Sequence, residues 1–200
     1  MIRILLADDQ ALVRGALAAL LDLEKDLEVV AQVASGADVL AAVREHAPDV
    51  ALLDIEMPGL DGIEATRGVV AETATRVLVV TTFGRPGYLR RALQAGASGF
   101  VVKDVPATQL ADAVRRVHAG LRVVDPTLAA DSLVSGDSPL TERETEVLRE
   151  ARDGASVAAI AGRLHLSQGT VRNHLSAAIG KTGAANRAEA VREAERKGWL

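Results

Sequence analysis

The chain contains no cysteine. A disulfide framework and a thiolate metal site are both excluded by that absence. Aromatic residues make up only 2% of the sequence, so Ala, Val and Leu must fill the core. No apolar stretch approaches the roughly 20 residues of a membrane span. The N-terminus runs straight into a strand-like segment with no signal-peptide pattern, so a soluble, cytoplasmic protein without membrane insertion is expected. A strongly basic patch is lacking as well. The net charge is −4, and residues 137–200 carry ten basic and nine acidic side chains, which leaves −5 on residues 1–136. Nucleic-acid binding must therefore be argued from a motif, because bulk charge does not announce it. The acidic first part suits cation binding.

What is present is a regular alternation. Val-, Ile- and Leu-rich strand candidates fall at 2–7, 28–34, 49–53, 76–81 and 99–102. Amphipathic helix candidates lie between them, near 11–22, 37–46, 61–72, 86–95 and 106–118. Pro86 and Pro106 suit first helical turns, and Gly96 and Gly120 suit helix ends. Five βα units predict an α/β domain with a parallel sheet covered on both faces. The expectation is a doubly wound, five-stranded, flavodoxin-like sheet in the order 2-1-3-4-5. Residues 1–120 form this domain. Residues 121–138 lose the alternation and read as a linker with a short helix from Thr127 to Val134. Residues 139–200 are purely helical, with candidates at 141–151, 156–163, 167–181 and 186–197.

Four strand candidates end in residues that one phosphoryl-transfer site would need. The first ends in Asp8 and Asp9, the third in Asp54, the fourth in Thr81 and the fifth in Lys103. In the expected strand order all five meet at the carboxyl edge of the sheet, where ligands of such folds bind. Two adjacent carboxylates and a third across the gap suit Mg²⁺, which wants oxygen ligands. A carboxylate can accept a phosphoryl group as an acyl phosphate. A lysine and a hydroxyl can stabilise that group's oxygens. Any one Asp at a strand end is ordinary; the five together are not.

The strings ILLADD at 4–9, VALLDIEMPGLDG at 50–62, VLVVTTF at 77–83 and AGASGFVVKD at 95–104 resemble the receiver domain of bacterial two-component response regulators. The resemblance implies that Asp54 is the phospho-acceptor. It implies that Asp8, Asp9, Asp54 and the backbone carbonyl of Glu56 position Mg²⁺ or another divalent cation. Lys103 would contact the phosphoryl group, Thr81 would be the switch hydroxyl and Phe100 the switch aromatic. Glu56 and Phe83 would flank the acceptor. Asp104 follows the lysine where many receivers have proline. A sensor histidine kinase would supply the phosphoryl group, and self-phosphorylation and self-dephosphorylation would be the only catalysis.

In the last part, Thr141 and Glu144 make a capping-box pattern at a helix start. The segment 153–182 reads as helix, turn, helix, with the turn at His165 to Ser167 and Ser167 as cap. Ala158, Ala159 and Ala161 are small enough for close packing, and Val171, Leu175 and Ile179 read as core. The set L-T-x-R-E, I-A-x-x-L, T-V-R-N-H and N-R-x-E-A resembles the LuxR-type four-helix helix-turn-helix domain. That resemblance implies promoter DNA as partner, with helix 167–181 in the major groove. Arg172, Asn173 and Ser176 are best placed for base edges, because Arg pairs with guanine and Asn with adenine. Thr170, His174 and Lys181 would touch phosphates or support the helix. The last helix, with Ala188, Ala190, Val191 and Ala194, is expected to help pair a homodimer formed on phosphorylation.

Together the two resemblances indicate the NarL/FixJ class of response regulators. The strings at 81–96 and 195–200 look like its DesR-like subgroup, whose type member activates a membrane-lipid desaturase gene under a membrane-sensor kinase. Two other readings stay open on the residues alone: a constitutive DNA binder with an inactive receiver, and a phosphatase or phosphotransferase built on the Asp54 acyl phosphate. The second lacks a further acid or base near Asp54 and a GxxxxGK[ST] loop.

Overall fold

In the computed structural model, the residues described are 1–82, 84, 86–126, 128–130 and 138–200. The chain divides into two compact units, one built on a sheet and the other on the last four helices.

The sheet unit alternates β1 (Ile2–Ala7), α1 (Ala11–Leu21), β2 (Leu27–Val33), α2 (Gly36–His46), β3 (Val50–Leu53), α3 (Gly62–Glu72), β4 (Arg76–Thr81), α4 (Pro86–Gln94), β5 (Gly99–Val102) and α5 (Ala107–His118). Local chemistry marks the joints. Ser35 and Asp61 cap α2 and α3 by accepting the backbone N–H of Ala37 and Glu64. Gly96 and Gly120 follow α4 and α5 at φ +97° and +86°, a conformation that costs glycine little. Pro106 lies one residue outside the helix, as the N-cap of α5.

All strand pairs are parallel, in the order β2-β1-β3-β4-β5-β6. The sheet thus has one strand more than the five expected. Val123 and Val124 form β6 on the free edge of β5. Two residues show no periodicity, but their pairing satisfies backbone groups that an edge strand would otherwise leave to solvent. Residues 128–130 within the expected linker helix are helical; Thr127 and residues 131–134 lie outside the described residues.

Ile4, Leu6, Val50, Leu52, Leu78, Val80 and Val101 share one core with Leu21 of α1 and with Leu110, Val114 and Val117 of α5. Their neighbours Leu5, Ala51, Leu53, Val77, Val79 and Phe100 are buried as well. Side chains alternate across a strand, so these point to the other face, where α2 and α3 pack. Burial on both faces is why the strands read as unbroken apolar runs.

The helical unit comprises α6 (Glu142–Glu150), α7 (Val157–Leu164), α8 (Gln168–Thr182) and α9 (Arg187–Arg196). Thr141 and Glu144 form a complete capping box on α6. Ser156, Ser167 and Asn186 cap the other three helices. Val147, Leu148, Ile160, Val171, Leu175, Ala178 and Val191 make a common core with Trp199 and Leu200. Three expectations need correction. Ile179 is half-buried, and Ala178 takes the fully buried place, because α8 turns 3.6 residues at a time and a four-residue spacing drifts off the core. Ala158 and Ala159 are exposed; only Ala161 packs. In α9, Ala190, Val191 and Ala194 are buried in the unit's own core, so they are not a surface for a partner; Ala188 alone is exposed. Among the described residues no helix is long and apolar enough to cross a membrane.

Candidate functional site

Register decides which strand ends meet. Ala7 pairs with Leu53, and Leu53 with Val79. Asp8 and Asp54 therefore leave neighbouring strands at the same level. The Asp54 N–H donates to the Ala7 carbonyl at 2.9 Å, which ties the acceptor loop to β1. Thr81 pairs with Val102, and Lys103 follows, its N–H donating to the Thr81 carbonyl at 2.8 Å.

Side chains complete the cluster. Lys103 Nζ lies 2.7 Å from Asp8 Oδ2 and 2.8 Å from Asp54 Oδ2. Both carboxylates are almost wholly buried, and Thr81 is too. Asp54 Oδ1 accepts the N–H of Ile55, and Asp8 Oδ1 accepts that of Gln10. Asp9 is exposed beside them. Carboxylate oxygens of Asp8, Asp9 and Asp54 all lie within 4.8 Å of one another, the one such acidic cluster among the described residues. Asp8 Oδ2 has the Lys103 ammonium as its partner, an ion pair at 2.7 Å, and no further hydrogen bond. A buried carboxylate oxygen left in that condition beside two others fits a hard cation with oxygen ligands.

Burial, reinforced by the Asp8 charge, pushes the Asp54 carboxyl above its ordinary range, although the Lys103 ammonium pulls the other way. Burial also works against the Lys103 charge. The two carboxylates outweigh it and hold the ammonium above its usual value. The site therefore concentrates negative charge around one fixed cation in a dry place, the condition under which charged interactions count most.

Glu56 is exposed in the loop after β3. Phe100 is fully buried, next to Val79 in the register. Thr81 and Phe100 lie on adjacent strands and the same face, as a diagonal pair. Phe83 lies outside the described residues. Sequence reasoning missed two supports. Arg14 Nη1 donates to the Asp8 carbonyl at 2.5 Å and anchors the loop from α1. A Cβ on Gly62 would fall 1.8 Å from the Asp54 carbonyl oxygen, so only glycine lets α3 start so close to the acceptor. Gly in an Asp-Gly pair is a cue for a turn, but not for that approach.

In the helical unit, Arg172, Asn173 and Ser176 are exposed on α8, while Thr170 and His174 are half-buried. Ser167 Oγ accepts the Thr170 N–H and lies 2.8 Å from Thr170 Oγ1, which locks the first turn. Lys181 turns toward the protein: its Nζ donates to both Glu144 oxygens at 3.0 and 2.8 Å. Glu144 also accepts the Thr141 N–H. Burial opposes the Glu144 charge, but the Lys181 and Thr141 hydrogen bonds prevail and hold its carboxyl below the ordinary range. Lys181 thus ties α8 to α6.

Comparison with known proteins agrees with this division. Residues 4–115 match the response regulator receiver domain, and residues 138–194 match the bacterial regulatory proteins of the luxR family. The chain is 44% identical over 200 residues to the transcriptional regulatory protein DesR of Bacillus subtilis, with all of both chains covered. Among solved structures it is similar to the response regulator ChrA of a heme-sensing two-component system, at 33% identity and a TM-score of 0.59, over 100% of this chain and 98% of that one. It is also similar to the receiver domain of the putative response regulator NarL from Mycobacterium tuberculosis, at 38% identity and a TM-score of 0.58, over 60% of this chain and 97% of that one. Matches of this extent show a regulator with a DNA-binding domain. The chain belongs to the two-component response regulators of the NarL/FixJ class, with a receiver domain followed by a LuxR-type DNA-binding domain.

Proposed function

We propose that this regulator is switched by phosphorylation of Asp54 by a sensor histidine kinase in the cytoplasm, and that the phosphorylated form dimerises and binds promoter DNA through α8. The observation that carries the reading is the buried Asp54 carboxylate, held at a strand end against Lys103 beside Asp8. An Asp54 oxygen attacks phosphorus; the new O–P bond forms as the bond to the donor's leaving group breaks, and that group departs with the electron pair. Lys103 neutralises charge on the phosphoryl oxygens, and Thr81 donates a hydrogen bond to one of them. Asp8, Asp9, Asp54 and the Glu56 carbonyl would hold a divalent cation, whose part is to neutralise phosphoryl charge. Hydrolysis by water reverses the modification and completes the domain's own catalysis.

The added phosphoryl group brings about −1.5 to −2 of charge into the cluster. Thr81 moves toward it, and Phe100, its diagonal neighbour on the same face, repacks β5 and its flanking helices. Taking a two-state element from 1:99 to 99:1 needs about 5.5 kcal/mol of differential stabilisation. Arg172, Asn173 and Ser176 read base edges, and Thr170 and His174 contact the backbone. The near-neutral DNA-binding unit predicts weak monomer binding, so two copies are needed for useful affinity. The DesR-like resemblance adds a target class, membrane-lipid genes, which genome-wide footprinting of the phosphorylated protein tests.

The direct test is light scattering with a small phosphodonor and Mg²⁺. Wild-type protein is expected to gain dimer and Asp54→Asn is not. Equal dimer gain in both proteins sinks the switch. A constitutive binder would instead show equal promoter affinity for wild type and Asp54→Ala.

A further inference from the structure

Arg172 does not stand alone on α8. Its Nη2 donates to Oε1 of Gln168 at 3.2 Å, one turn earlier on the same face. Both residues are exposed, and both lie within the DNA-binding unit. An arginine that reads guanine must present its planar fork to O6 and N7 together. A free arginine side chain loses rotamer entropy when it is fixed in that pose. A hydrogen bond that restrains the guanidinium beforehand removes part of that cost.

The same contact also changes what Gln168 can offer. A free glutamine amide has an acceptor and a donor, and together these pair bidentately with adenine. With Oε1 held by Arg172, the amide is fixed in one orientation; it keeps its two Nε2 donors and one further Oε1 lone pair. Beside it, a Cβ on Gly169 would meet only the Ser167 hydroxyl, at 3.7 Å.

We propose that Gln168 is a specificity-determining positioning residue of the recognition helix. It steadies Arg172 for guanine and makes a contact of its own through its Nε2 amino group, to a guanine or thymine oxygen or to a phosphate. This rests on the reading of α8 as the base-contacting helix, with Arg172 as a base reader.

The experiment is selection from a randomised operator library by the full chain with phosphodonor and Mg²⁺, followed by competition binding at two salt concentrations. Arg172→Ala tests the underlying reading: a guanine preference should vanish at one position in each half-site. Gln168→Ala should lower that same preference by about fivefold, the effect of one hydrogen bond, and leave the salt slope unchanged because no charge is lost. Gln168→Glu keeps an acceptor for Arg172 and should keep the guanine preference, while it weakens binding to all sequences through phosphate repulsion. The proposal is overturned if Gln168→Ala weakens all sequences equally, if Gln168→Glu loses the guanine preference as fully as the alanine variant, or if wild type selects adenine through Gln168. An unchanged profile for Arg172→Ala overturns both the reading and the proposal. Exposed positions such as these do not carry the fold, and the melting transition of each variant should match wild type.

Discussion

Replacing Lys103 by methionine removes one charge and keeps the length of the side chain, and its consequence can be worked from the cluster. The ammonium is 10% exposed and touches two carboxylates that are each 3% exposed. Without it, two acidic groups face one another with oxygens within 4.8 Å. At that separation and an effective dielectric of about 20, two unit charges repel by about 3.5 kcal/mol. The variant's relief is to protonate Asp54, whose folded-state pKa already lies above its ordinary range and rises further. The sign follows from linkage: a raised folded-state pKa leaves stability intact in acid and removes it as the pH climbs through the folded value. Lys103→Met should therefore lose about 3 kcal/mol relative to wild type at pH 8, and the deficit should shrink as the pH falls toward the carboxylate range. Excess Mg²⁺ should stabilise the variant, by about 2.7 kcal/mol at a hundred times its Kd. Urea denaturation followed by far-UV circular dichroism at several pH values, with and without Mg²⁺, measures this. The single tryptophan, Trp199, belongs to the core of the DNA-binding unit and provides an internal control by its emission. A deficit independent of pH, or none at pH 8, would refute the assignment of Lys103 as the cation that holds these carboxylates together.

Two further perturbations test the supports of each unit. Lys181→Ala leaves the buried Glu144 carboxylate with its cap contacts only and should destabilise the DNA-binding unit by about 1–2 kcal/mol at pH 7, read as an earlier Trp199 unfolding transition. Because the Glu144 carboxyl is held below its ordinary range, that contribution is present above the unfolded value and is lost as the pH falls through the folded one; the two proteins should converge in acid. Gly62→Ala forces the start of α3 off the Asp54 carbonyl and should cost about 1–3 kcal/mol, with slower phosphorylation from a small donor; wild-type stability together with a wild-type rate would show that the close approach has no bearing on the site.

The five main strands and the first five helices were legible in the sequence because two signals coincide there. Apolar runs such as Val50–Leu53 are too short for helices, and glycine or proline marks most of the breaks. The capping residues Thr141 and Ser167 were legible for the same local reason, since a hydroxyl or carboxylate three residues away is a neighbour in sequence. The misjudged features depend on packing. Ala190, Val191 and Ala194 form an apolar stripe that fits a partner as well as the unit's own core, and only the position of the other helices decides between them. Val123 and Val124 pair because the free edge of β5 lies within reach.

The candidate site divides along the same line. The sequence by itself determined which chemical groups are available: acids at two strand ends, a hydroxyl and a lysine at two others, and an arginine and an asparagine on one helix face. Residue type and period are local properties, and a 200-residue chain states them plainly. Only the tertiary structure decided that Lys103 reaches both Asp8 and Asp54 and that Lys181 serves Glu144. These are contacts between residues 37 to 95 positions apart. Their energies come from burial and from separations of a few ångströms, and neither exists until the sheet and the helices have packed.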